Sequence, residues 1–157
     1  MSGDVVLVHS SDIHVDQSGD DGTAGLGLVV ATARALGAEI LVLAGDTFEH
    51  NRLPLEVLAR ARRLIERAGM PVVILPGNHD PAIPDSAFHR GRLGEAANVS
   101  ILGVTHEDAV HFPELGLEIW GRAHRDYGNM APLAAARARR ACWHVAMAHG
   151  HYEPAPD

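Results

Sequence analysis

Three short apolar runs rich in valine, isoleucine and leucine, Val5–His9, Ile40–Ala44 and Val72–Leu75, read as buried strands. Between them, apolar positions recur at helical spacing. Thr23–Leu36 places Leu28, Ala31 and Ala35 on one face. Pro54–Ala68 opens with proline in its first turn and repeats Leu55, Leu58, Ala61, Leu64 and Ile65. Ala68-Gly69 and then Pro71 close this second helix. Strand, helix, strand, helix, strand predicts an α/β layer with parallel strands. The second half is less regular. Val99–Leu102, Ala109–Phe112 and Leu117–Trp120 read as shorter strands, Met130–Ala141 as an Ala/Arg-rich helix, and Trp143–Ala148 as one more buried strand. No internal repeat or linker interrupts the chain, so one domain over residues 1–157 is expected.

Composition narrows the function. At 157 residues and 46% hydrophobic, the chain is long and apolar enough to bury a core. Its apolar runs fall short of the roughly 20 residues a membrane helix needs. No basic stretch followed by an apolar run marks a leader, and the single cysteine, Cys142, staples nothing within the chain. The expected compartment is the cytoplasm. The net charge is −7, and all 13 basic residues are arginine. Without lysine there is no Walker-type phosphate-loop lysine, Schiff-base lysine or Ser-Lys dyad. The acidic balance argues against extended nucleic acid, which normally meets a basic face.

The chemistry lies at strand ends, where open α/β sheets bind ligands. Val5–His9 is followed by Ser10-Ser11-Asp12-Ile13-His14, and Ile40–Ala44 by Gly45-Asp46-Thr47. Val72–Leu75 is followed by Pro76-Gly77-Asn78-His79-Asp80, and Trp143–Ala148 by His149-Gly150-His151. Glycine beside the polar residue lets backbone approach a ligand closely. Carboxylate, amide and imidazole donors without thiolate suit Mn, Fe, Zn or Mg better than a structural cysteine-zinc site.

Asp12-x-His14, Gly45-Asp46 and Gly77-Asn78-His79-Asp80, followed by His149, together resemble the calcineurin-like metallophosphoesterase superfamily, over about residues 5–151. Ser-Asp-x-His and Gly-Asp-Thr-Phe look closest to its exonuclease-like branch. The resemblance implies a layered α/β fold, a sheet core flanked by helices, and a centre of two divalent metal ions. Manganese leads among them, with Fe, Zn, Ni or Mg as alternatives. Asp12 and His14 would hold the first ion, Asp46 would bridge, and Asn78 with His149 would hold the second. His79 would be the catalytic proton donor or charge stabiliser, with Asp80 orienting it. Two cations about 3.5–4 Å apart can clamp the attacking and leaving oxygens of an in-line phosphoryl displacement.

Two departures stand out. The family's downstream Gly-His-x-His is missing, which reads as a C-terminal truncation; His151 is then a candidate substitute ligand. Where nuclease-type members often carry histidine after Gly-Asp-x-Phe, this chain has Glu49.

Each motif alone has a plain alternative. Asp12 and His14 could cap a helix and face solvent, Gly45-Asp46 and Gly77-Asn78 are ordinary turn dipeptides, and Asp80-Pro81 is a common loop start. Four such coincidences at strand ends favour a shared site. His9 reads as a packed neighbour of the site. His89, His106, His111, His124 and His144 match no pattern. Trp120, Trp143 and Cys142 read as core, and Arg137, Arg139 and Arg140 as a solvated helix face. Arg52, Arg122 and Arg125 are candidates for phosphate contact.

The expectation is a metal-dependent phosphoesterase acting on a phosphomonoester or phosphodiester, with a small molecule favoured as substrate and no membrane partner. The alternatives are a DNA-repair-type nuclease subunit and a non-catalytic binding module that has lost full metal coordination.

Overall fold

The computed structural model describes residues 3–18, 21–128, 131–132 and 135–150. Four parallel strands form the first sheet in the order β1 (Leu7–Ser10), β2 (Ile40–Ala44), β3 (Val72–Leu75), β4 (Val99–Ile101). Helices α1 (Ala24–Ala35) and α2 (Leu55–Glu66) make the first two crossovers. A second sheet contains β5 (Ala109–Phe112), β6 (Leu117–Gly121) and β7 (Trp143–Met147). There β5 pairs antiparallel with β6, and β7 pairs parallel with it.

Strand β2 is buried along its whole length, and the period-2 alternation of its side chains divides the core in two. Leu41 and Leu43 pack with Leu26, Val30 and Ala33 of α1 and with Val57, Leu58, Ala61 and Ile65 of α2. Ile40, Val42 and Ala44 face the other way and pack with Val110, Phe112, Leu117, Ile119 and Met147 of the second sheet. The molecule is therefore layered as helices, sheet, sheet, with β1–β4 in the middle. This is the mixed α/β arrangement the strand–helix alternation predicts. No helix among the described residues is long and apolar enough to cross a membrane.

Several local expectations are corrected. The buried stripe of α1 is Leu26, Val30 and Ala33, while Leu28 is 70% exposed and Ala31 and Ala35 face solvent. This helix is apolar on nearly every side, so periodicity could not choose the face. The described residues of 130–141 contain no helix. Arg137 there reaches β6 and its neighbour, with Nε donating to Glu118 Oε1 at 2.8 Å and a terminal nitrogen to Asp108 Oδ1 at 2.7 Å. Pairing with the buried Glu118 overrides the helix propensity of alanine and arginine. Strand β7 lies at the edge of its sheet, so Trp143 is 43% exposed and Cys142 is exposed, rather than both being core. A short helix, α3 (Ala87–Arg90), capped by Ser86, had no periodic signal in four residues.

Candidate metal centre

The loops leaving β1 and β2 run side by side, and backbone hydrogen bonds zip them together. Asp12 N–H donates to Gly45 O at 3.1 Å, His14 N–H to Asp46 O at 3.0 Å, and Val15 N–H to Thr47 O at 2.9 Å. Glu49 N–H returns to Val15 O at 2.9 Å. Within this ladder Asp12, His14 and Asp46 all adopt left-handed backbone, with φ of 53°, 51° and 51°. Among the described residues only Arg92 shares that conformation without being glycine. Such backbone is disfavoured for residues with a Cβ and concentrates at functional sites.

Two glycines admit the side chains of the site itself. A Cβ on Gly45 would lie 2.1 Å from the His149 ring, and one on Gly77 would lie 2.1 Å from Asp46 Oδ1 and 2.5 Å from the Asp46 backbone nitrogen. The glycine requirement read from the sequence is thus real, but the close approach is to neighbouring site residues.

Asp46, buried and central, accepts the His79 N–H on Oδ1 at 2.9 Å and lies 3.1 Å from His149 Nε2 through Oδ2. His149 Nε2 is also 3.2 Å from Asn78 Oδ1, while its Nδ1 meets Ala44 O at 2.9 Å. His124, buried behind it, bonds through Nε2 to His149 O at 3.0 Å. Asp12 is 57% exposed and its Oδ1 stands 3.9 Å from His14 Nε2. Asp12, Asp46, Asn78 and His149 line a cleft of about 340 Å³ together with His9 and Ser11. Arg52, Arg122 and Arg125 are exposed and do not line it.

Two three-residue groups bring possible donor atoms within 4.8 Å of one another: Asp12, Asp46 and His149, and His14, Glu49 and His79. The rings of His14 and His79 meet edge to face at 4.9 Å, joining the two groups. Hard oxygens and imidazoles converging on a cleft fit divalent cations. His151 lies outside the described residues.

His79 Nδ1 meets the Glu49 carbonyl at 3.0 Å, and the Glu49 carboxylate is 3.6 Å away. The carbonyl raises the imidazole above its ordinary value, partial burial opposes this, and the charges of Asp46, Glu49 and Asp80 add to the rise. Asp80 does not touch the His79 ring. Its two oxygens accept Phe48 N–H at 2.9 Å and Gly77 N–H at 2.7 Å, so it ties the loop after β2 to the loop after β3. Burial pushes its carboxyl up to about 6, those two N–H groups pull against it, and Asp46 adds to the rise.

Glu49 and His124 are the neighbours that motif reading left without a role. Glu49 stood in the sequence only as a departure, three residues after Asp46. His124 carries no signal in its own segment.

A family model described as calcineurin-like phosphoesterase matches residues 5–155. No curated protein matches the chain.

Proposed function

The chain belongs to the calcineurin-like phosphoesterase family, and we propose that it hydrolyses phosphomonoester or phosphodiester bonds using two divalent cations. The observation that carries this reading is the convergence of Asp12, Asp46, Asn78 and His149, from three loops of the first sheet and the end of β7, on one cleft. Asp12 and His14 would hold one cation and Asn78 and His149 the other, with the Asp46 carboxylate between them. Such a pair, when bound, supplies Lewis acidity at the phosphoryl oxygens and an acidified water, with manganese the first ion to try. His79, whose Nδ1 is occupied by the Glu49 carbonyl, keeps Nε2 for the leaving oxygen. Its pKa is shifted upward, first by that carbonyl, in the direction that favours the protonated ring a general acid needs. The Asp80 strap holds that histidine's loop in register with Asp46. A small phosphate ester suits the chain's charge of −7 better than long nucleic acid does.

The test is hydrolysis of a chromogenic phosphodiester and a phosphomonoester with added manganese, beside Asp46→Asn. Removing the bridging charge is expected to lower turnover at least 100-fold, in line with the loss of a preorganised electrostatic group. Manganese-independent turnover, or full activity in the variant, would refute the two-metal reading.

A further inference from the structure

Each of the three site histidines turns Nδ1 toward an oxygen of its own chain. For His149 it is the Ala44 carbonyl and for His79 the Glu49 carbonyl. For His14 it is a carboxylate, Glu49 Oε2, at 2.8 Å. His14 Nε2 faces the opposite way, toward Asp12. The His14 Nδ1 atom is buried and makes no hydrogen bond in this geometry, even though the glutamate oxygen is so near. The two atoms stand at hydrogen-bond distance without the alignment of a formed hydrogen bond, and the Glu49 side chain is half-exposed. A buried ring nitrogen without a partner is costly, and Glu49 Oε2 is the carboxylate oxygen that stands beside this one.

We propose that the Glu49 carboxylate is a positioning residue for His14. It accepts a hydrogen bond from His14 Nδ1–H, which selects that tautomer and leaves the unprotonated Nε2 as the lone-pair atom facing Asp12. The proposal rests on the reading of His14 as a metal ligand. A carboxylate on the far nitrogen orients an imidazole ligand and raises its basicity, and losing such a partner typically weakens metal binding about 10–100-fold.

Glu49 could instead join His14 and His79 as a ligand in its own right, since their atoms cluster within 4.8 Å. The geometry disfavours this. Glu49 Oε2 lies at hydrogen-bond distance from His14 Nδ1, whereas the ring edge that faces Asp12 is Nε2, so direct ligation with Glu49 would use the edge of His14 turned away from Asp12.

The test uses the whole chain. Manganese affinity is read from the electron paramagnetic resonance signal of the free ion, and the His14 tautomer from long-range proton–nitrogen NMR of the metal-free protein. In the parent, His14 is expected to carry its proton on Nδ1. Glu49→Ala should weaken manganese binding about 10–100-fold and mix the tautomers. Glu49→Gln keeps an oxygen acceptor, so it should restore the tautomer and return affinity to within a few-fold of the parent. If Glu49→Gln is as weak as Glu49→Ala while its tautomer is restored, the carboxylate is a direct ligand and the proposal is wrong. It is also wrong if Glu49→Ala changes neither readout. His14→Ala separates the two levels of argument. If that variant binds manganese like the parent, the ligand reading and the positioning proposal fall together. If His14→Ala weakens binding but Glu49→Ala does not, the positioning role alone falls.

Discussion

Asp80 is fully buried beside the site, and its raised carboxyl has a thermodynamic signature. Its ordinary value is 3.8 and its folded value about 6, so the native state holds the proton more tightly than the unfolded chain. Stability from this group is complete below about pH 4 and is lost as pH rises through about 6. Two pKa units correspond to about 3 kcal/mol. Metal-free protein should therefore show a urea midpoint that falls between pH 4 and pH 7, and Asp80→Asn should flatten that fall. An unchanged slope in the variant would assign the effect to other groups. His79, also raised, contributes in the same direction. The left-handed Asp12, His14 and Asp46 add a second residue-scale tension, because each sits in backbone that disfavours its side chain. Hydrogen bonds from the neighbouring loop hold them there.

At the scale of elements, the two glycine-bearing loops behave as fitted parts. Gly77 does not have positive φ, so its requirement is one of space alone. Gly77→Ala would press a methyl against the backbone nitrogen of Asp46, which a side-chain rotation cannot relieve. Overpacking of this kind costs about 2 kcal/mol. The expected result is a lower urea midpoint together with a loss of manganese affinity; an alanine variant equal to the parent in both would contradict the packing. These loops were legible in the sequence because each follows an uninterrupted apolar strand. The bounds of β2 and β3 were read correctly because every residue in them is buried. Where burial is one-sided the pattern misled. Edge strand β7 leaves Trp143 half out, and apolar α1 hid its true face. The segment around Arg137 could not be read locally, since its partner Glu118 is 19 residues away. The role of Glu49 was hidden for a similar reason. Its meaning depends on His14, which reaches it from the loop after another strand.

Across the whole molecule, the candidate ligands belong to both sheets. Asp12, Asp46 and Asn78 leave strands of the first sheet, whereas His149 follows β7 of the second. Cations bound there would link the two layers. An ion present at about 100 times its dissociation constant stabilises a protein by about 2.7 kcal/mol when it binds only the folded state. Manganese should thus raise the thermal midpoint by several degrees and slow amide exchange in β7. His149→Ala should lose both effects, and an equal midpoint shift in that variant would remove His149 from the metal shell.

The distance along the chain between Asp12 and His149 also sets a clock. A ribosome adding about 10 residues per second makes the first candidate ligand on the order of ten seconds before the last. The parallel strands and their zipped loops can form in that interval, but the cleft stays open on the side His149 will occupy. With His149 as a ligand, an emerging chain would offer passing metal only a partial claw. Tight capture would then wait until β7 has docked, so metal loading would report that synthesis has passed the last strand of the second sheet.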